Sequence, residues 1–175
     1  TSANVAEQSL FTTQRAFMGL KNVKTVGILD PGGASKHWAI TFEWENRGHT
    51  PVRDAFCAAG SHLLNSGEPD DFEIVDINDV PGAIHSIVIA PGDGGFSDPL
   101  ILPAADVQRM SSGEIRFFIY GIAQYRDVFV GTPAHRTLVC MQVIPHPNLS
   151  LSNPRLLGHE TAFRYASHRS HNYAT

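Results

Sequence analysis

The apolar positions of this chain keep two different periods. Between residues 3 and 20, Ala3, Ala6, Leu10, Thr13, Phe17 and Leu20 follow one another at steps of three and four, the spacing that lines one face of an α-helix. Asn4, Glu7, Gln8, Gln14 and Arg15 fill the remainder, so the spacing predicts a helix over 3–20 with a thin apolar stripe. Such a helix either docks on the edge of the domain or presents Leu10, Phe17 and Leu20 to a partner. Over residues 37–45 the period drops to two: Trp38, Ile40, Phe42 and Trp44 alternate with Ala39, Thr41, Glu43 and Glu45. That alternation predicts a half-buried strand whose large side chains are core. Asn46-Arg47-Gly48 ends it as a turn, and Pro51 sends the chain on extended.

Further strands are predicted over 23–29, 52–64, 84–90, 115–129 and 135–144, each bounded by Gly, Pro, Asn or Asp, with short extended pieces at 72–77 and 100–102. Pro103 early and Gly113 late bracket a short crossover helix. Residues 115–144 form a long hairpin bent at Val130-Gly131-Thr132-Pro133-Ala134. If Phe129 faces His135, then Asp127 faces Thr137 and Tyr125 faces Val139. Beyond Pro145 the alternation dissolves among Pro147, Pro154 and scattered leucines, which predicts an extended tail anchored by Phe163 and Tyr165. The fold expected is a mostly β, antiparallel Ig-like β-sandwich of seven or eight strands with an N-terminal helix and one short crossover helix. Its parts are a helical stalk over 1–20, a sandwich over 21–145 and a tail over 146–175 laid on the domain.

Composition narrows the function classes. With 175 residues, 42% hydrophobic and only 17% charged, the chain has material for one core, and its 15 Gly and 11 Pro disfavour long solvated helices. A formal net charge of −4, with no block of basic residues, argues against a nucleic-acid groove. No apolar run reaches the roughly 18–20 residues of a membrane helix. Because the sequence begins at Thr1, an upstream signal, anchor or other segment is expected to have been removed, so that any membrane association runs through residues absent here.

Four sets of residues carry candidate chemistry. Tyr125, Asp127, His135 and Thr137 meet near the hairpin tip, where a carboxylate beside an imidazole offers general acid–base or ligand-binding chemistry, or fastens the loop. His168 and His171, with His159 nearby and His135 as a third imidazole, have the residue type that suits a metal, though not a specific metal-site spacing. Cys57 and Cys140 either bridge the two sheets, for about 4–5 kcal/mol in the chain-entropy account, or remain buried free thiols. The acidic run of Glu68, Asp70, Asp71, Glu73, Asp76 and Asp79 lacks the ligand order of an EF-hand. It reads as a solvated loop, and Pro91-Gly92-Asp93-Gly94-Gly95 as a wide turn without the Lys of a phosphate loop. No cofactor is implied.

The runs Asn46-Arg47-Gly48-His49-Thr50-Pro51, Tyr125-Arg126-Asp127-Val128-Phe129, His135-Arg136-Thr137-Leu138-Val139-Cys140 and His171-Asn172-Tyr173-Ala174 follow in order. As N-x-G-x-T-P, Y-x-D-x-F, H-x-T-x-x-C and H-N-x-A motifs they resemble a family of uncharacterised bacterial proteins with an N-terminal membrane anchor and an extracytoplasmic β-domain. The resemblance implies a periplasmic or otherwise extracytoplasmic location and no particular reaction. A non-enzymatic binding or assembly module, acting with a protein partner or a second copy on a membrane-associated complex, is the leading expectation. A hydrolase or metal-dependent enzyme using Asp127, His135 and Tyr125, and a self-assembling surface component, are the alternatives.

Overall fold

The alternation over 37–45 belongs to the strand on which the first sheet is built. The computed structural model describes residues 14–74, 87–151 and 162–175. In chain order the elements are β1 (Met18–Leu29), β2 (Ser35–Asn46), β3 (Val52–Asn65), β4 (Ile87–Ile89), β5 (Gly94–Phe96) and β6 (Leu100–Pro103). Then come α1 (Ala104–Ser111), β7 (Ile115–Arg126), β8 (His135–Pro145), β9 (Phe163–Ser167) and β10 (Tyr173–Ala174). The described chain is mostly β, with two antiparallel sheets and a short helix. In the first sheet β2 pairs with β1 on one edge, and with β5 and β6 in tandem on the other. In the second, β8, β7, β3 and β4 lie in that order, with β9 and β10 both on the outer edge of β8.

Trp38, Ile40, Phe42 and Trp44 are fully buried, each contributing about 1.5–3 kcal/mol of transfer free energy before ordering costs. They share one apolar cluster with Ile115, Phe117, Ile119, Ala123 and Tyr125 of β7 and Val143 of β8, so the inner faces of the two sheets pack on each other. A second cluster covers the outer face of the second sheet, where Phe72 packs on Phe118 among Tyr120, Leu138 and Cys140. The second sheet is therefore covered on both faces. The first is covered on its inner face.

Two expectations are corrected here. Gln14 is helical, but the chain is already strand at Met18, so Phe17 and Leu20 do not continue a helical stripe; Leu10 lies outside the described residues. Leu20 instead pairs opposite Trp44. The β-branched Val23, Thr25, Val26 and Ile28 and a full-length partner in β2 outweigh a weak three-four spacing. The segment after Pro145 is more than a surface tail, because β9 continues the β8 ladder from Pro145 opposite Phe163 to Met141 opposite Ser167. Phe163 is buried edge-on against Trp38 at 5.1 Å, and the Tyr165 and Thr25 hydroxyls hydrogen-bond across the sheets at 2.5 Å.

Gly121 sits on the inner face of β7, where a Cβ would lie 2.7 Å from the Phe42 ring and 2.9 Å from the Trp44 ring. Both rings are fully buried and have nowhere to move. Gly121→Ala is expected to cost about 1–3 kcal/mol of stability through overpacking, measured by urea unfolding; an unchanged midpoint would show that the two sheets are not tightly packed at this point.

Candidate functional site

The hairpin register differs from the expected one by four residues: Tyr125, not Phe129, stands opposite His135, and Ala123, not Asp127, stands opposite Thr137. The cause is the Asp127 side chain. Its Oδ1 accepts the Phe129 amide at 3.3 Å and the Thr132 hydroxyl at 2.7 Å, an Asx-type turn that ends β7 at Arg126 and closes the loop over 127–134. The four residues meet all the same, because they flank one loop. His135 Nε2 lies 3.1 Å from Asp127 Oδ2, and the Tyr125 and His135 rings are 5.4 Å apart. Thr137 donates its hydroxyl to the Met18 carbonyl at 2.7 Å, tying β8 to β1 across the sheets.

All four side chains are buried, and their polar atoms are largely consumed by these contacts. The second His135 nitrogen, Nδ1, lies 3.1 Å from the Thr175 backbone oxygen. Both ring nitrogens thus face oxygen atoms. The Tyr125 hydroxyl is enclosed without a partner at full hydrogen-bonding geometry among the described residues. Burial raises its pKa, with the Met18 amide and Thr137 hydroxyl offsetting part of the rise. For Asp127, burial pushes the pKa up, but Thr132, His135 and the Phe129 amide together bring it below the usual carboxylate value. The constellation holds a carboxylate and an imidazole firmly. It offers neither an unengaged base nor an activated nucleophile.

The other candidates fall elsewhere. His168 and His171 stack at 4.5 Å on the outer face of the second sheet, around Phe72. His135 is on the inner face, so the three imidazoles do not converge. No group of three or more His, Cys, Asp or Glu side chains is arranged to hold a metal ion among the described residues, and His159 lies outside them. Burial, then the neighbouring His168, lowers the His171 pKa, with Asp71 acting in the opposite sense. His62, unremarked in the sequence, also stacks against Phe72, at 4.5 Å.

Cys57 and Cys140 do not bridge the sheets. Both belong to the second sheet, opposite Ala123 and Tyr120 of β7 respectively, an odd offset that turns them to opposite faces. Both are free, and burial pushes each thiol up to about 12. Gly94 and Gly95, read as part of a wide turn, form strand β5 against Trp44 and Glu45. Of the acidic run, Glu68 binds the Asn65 amide and side chain and Asp70 pairs with Arg116.

Two residues that the sequence reading passed over as turn and tail are central. Asn46 is fully buried. Its Oδ1 accepts the amides of Phe17 and Gly48, at 3.3 and 3.0 Å, and its Nδ2 donates to the carbonyls of Thr50 and Ile89, at 2.9 and 3.1 Å. Asn172 lies alongside β8, accepting the Cys140 amide and donating to the Cys140 and His168 carbonyls. Their signal lay in the N-x-G-x-T-P and H-N-x-A runs, each of which holds an Asn.

Because Asp127 titrates lower folded than unfolded, its ionised form stabilises the fold above the unfolded value, near 3.9 for Asp, and that stability is lost as pH falls through the lower folded value. Asp127→Asn is expected to cost about 1–3 kcal/mol near neutrality and to flatten the acid limb of stability against pH, measured by thermal unfolding from neutral to strongly acidic buffer. A variant whose stability runs parallel to the wild type at every pH would show that the Asp127 charge holds nothing. Set against protein-family models, curated proteins and solved structures, the chain shows no match.

Proposed function

We propose that this chain is a non-enzymatic extracytoplasmic binding or assembly module whose contact surface is the outer face of the first sheet with its β1 side. The observation that carries the reading is the row Val26, Ala39 and Ile101, in register across β1, β2 and β6. Val26 and Ile101 are more than half exposed, as is Phe96 on β5; Ile28 is also exposed. Exposed apolar patches rimmed by charge are the usual mark of an interaction site. Here the rim is Lys21, Lys24, Glu43 and Glu45, joined in a surface ion-pair group, with Lys24 lying over the Phe96 ring at 4.7 Å.

The occupant proposed is a second copy of the chain. Among the described residues the outer edge of β1 has no strand partner, and edge backbone groups are a template for another strand. An antiparallel two-fold pairing through β1 would continue the apolar row into its copy and set charges of both signs against one another. The Ig-like layout is proposed on the support of the two antiparallel sheets with a shared core. The extracytoplasmic location, and membrane attachment through residues outside this sequence, are supported by the resemblance of the four motifs.

Sedimentation velocity over a concentration series tests the reading. The wild type is expected to gain mass with concentration, and Val26→Lys combined with Ile101→Lys to remain monomeric with an unchanged melting temperature. A wild type that is monomeric at every concentration contradicts it.

A further inference from the structure

The second sheet carries an unusual charge arrangement at one end of its outer face. Arg53 of β3 stands directly opposite Arg126 of β7, and like charges in that position repel. Arg136 of β8 stands opposite Gln124, two residues along β7 from Arg126 and therefore on the same face. Three adjacent strands thus place three arginines at one end of the same face, in a chain whose net charge is −4. The ion pairs formed among the described residues involve none of the three. Arg136 is held over the Tyr173 ring at 6.0 Å, with its Nε buried and lacking a hydrogen-bond partner among those residues.

A cavity of about 190 Å³ opens between this pair and the hairpin tip, lined by Arg53, Asp54, Arg126, Asp127 and residues 129–132. The Asp127 carboxylate in the lining is engaged from inside, Oδ1 accepting from the Thr132 hydroxyl and the Phe129 amide and Oδ2 lying against His135 Nε2. Asp54 lies at a bulge between Arg53 and Phe56 with φ +49, a left-handed conformation that a non-glycine residue adopts at a cost. Repulsion and backbone strain therefore coincide on one small cavity.

We propose that Arg53 and Arg126 form a binding site for a phosphate-type oxyanion. A tetrahedral anion of charge near −2 accepts from two guanidinium forks at once and cancels their repulsion, where a single carboxylate would leave net positive charge. The cavity is smaller than the roughly 300–1,000 Å³ of drug-sized pockets, which suits a phosphate group with at most a small appendage. The site lies on the second sheet, apart from the contact face of the first, and does not rest on the assembly reading.

Isothermal titration of the whole chain with inorganic phosphate at constant ionic strength, with acetate as control, tests the proposal. The wild type is expected to bind phosphate saturably and acetate not at all. Arg126→Gln and Arg53→Gln are each expected to weaken phosphate binding by about tenfold or more, the equivalent of one lost charged hydrogen-bond pair. In phosphate-free buffer Arg126→Gln is expected to melt at or above the wild-type temperature, because the repulsion is gone; a purely structural arginine would lower it. Phenyl phosphate binding more tightly than inorganic phosphate would assign the site to a phosphomonoester, and equal or weaker binding would assign it to free phosphate. No saturable binding of either, or binding that survives loss of both Arg53 and Arg126, overturns the proposal.

Discussion

A buried amide that meets all its hydrogen-bonding demands at once organises one end of this fold. Asn46 ends β2, and from there its side chain reaches the chain before β1, the turn at Gly48, the Thr50 carbonyl and the Ile89 carbonyl of β4. Its backbone adds two more links, donating to Asp93 and accepting from Gly92 at 2.9 and 2.8 Å. Gly48 makes this geometry accessible, since a Cβ there would lie 2.4 Å from the Arg15 carbonyl and 2.5 Å from the Phe17 nitrogen. A buried polar group costs several kcal/mol if left unpaired and little if fully paired. Asn46 is therefore tolerated in the core only while the segments it joins are in place, and this couples their positions.

The same logic runs through the other polar motifs. Asp127 closes the hairpin loop, His135 connects that loop to the Thr175 backbone, Thr137 reaches Met18, and Asn172 docks the last segment along β8. These residues sit where the chain must be held without a neighbouring strand or where the two sheets meet. Apolar packing between inner faces is strong but undirected, and the polar links supply direction.

The core was legible because burial writes itself into alternation: Trp38, Ile40, Phe42 and Trp44 could face only one way. The crossover helix was legible through Pro103 and Gly113. The hairpin was visible as two runs around a bend, but its register was not, since the Asp127 side chain withdraws 127–134 from the ladder and alternation carries no trace of that bond. Strands β9 and β10 were not legible as strands because they are short and their partner, β8, is distant in sequence, although Phe163 and Tyr165 marked the segment's anchors. The polar cluster survived a wrong register because Tyr125 and Asp127 on one side, and His135 and Thr137 on the other, border the same loop under either pairing. Phe17 and Leu20 misled because a thin helical spacing cannot outweigh a strand partner as long as β2.

The coupling role of Asn46 is open to a direct test by native-state hydrogen exchange on the wild type and Asn46→Ala. The account predicts that the variant loses amide protection together at the start of β1, in the turn after β2, around Gly92 and in β4, since one side chain and its backbone hold all four. Loss of protection confined to the residues next to position 46, with β1 and β4 unchanged, would contradict it.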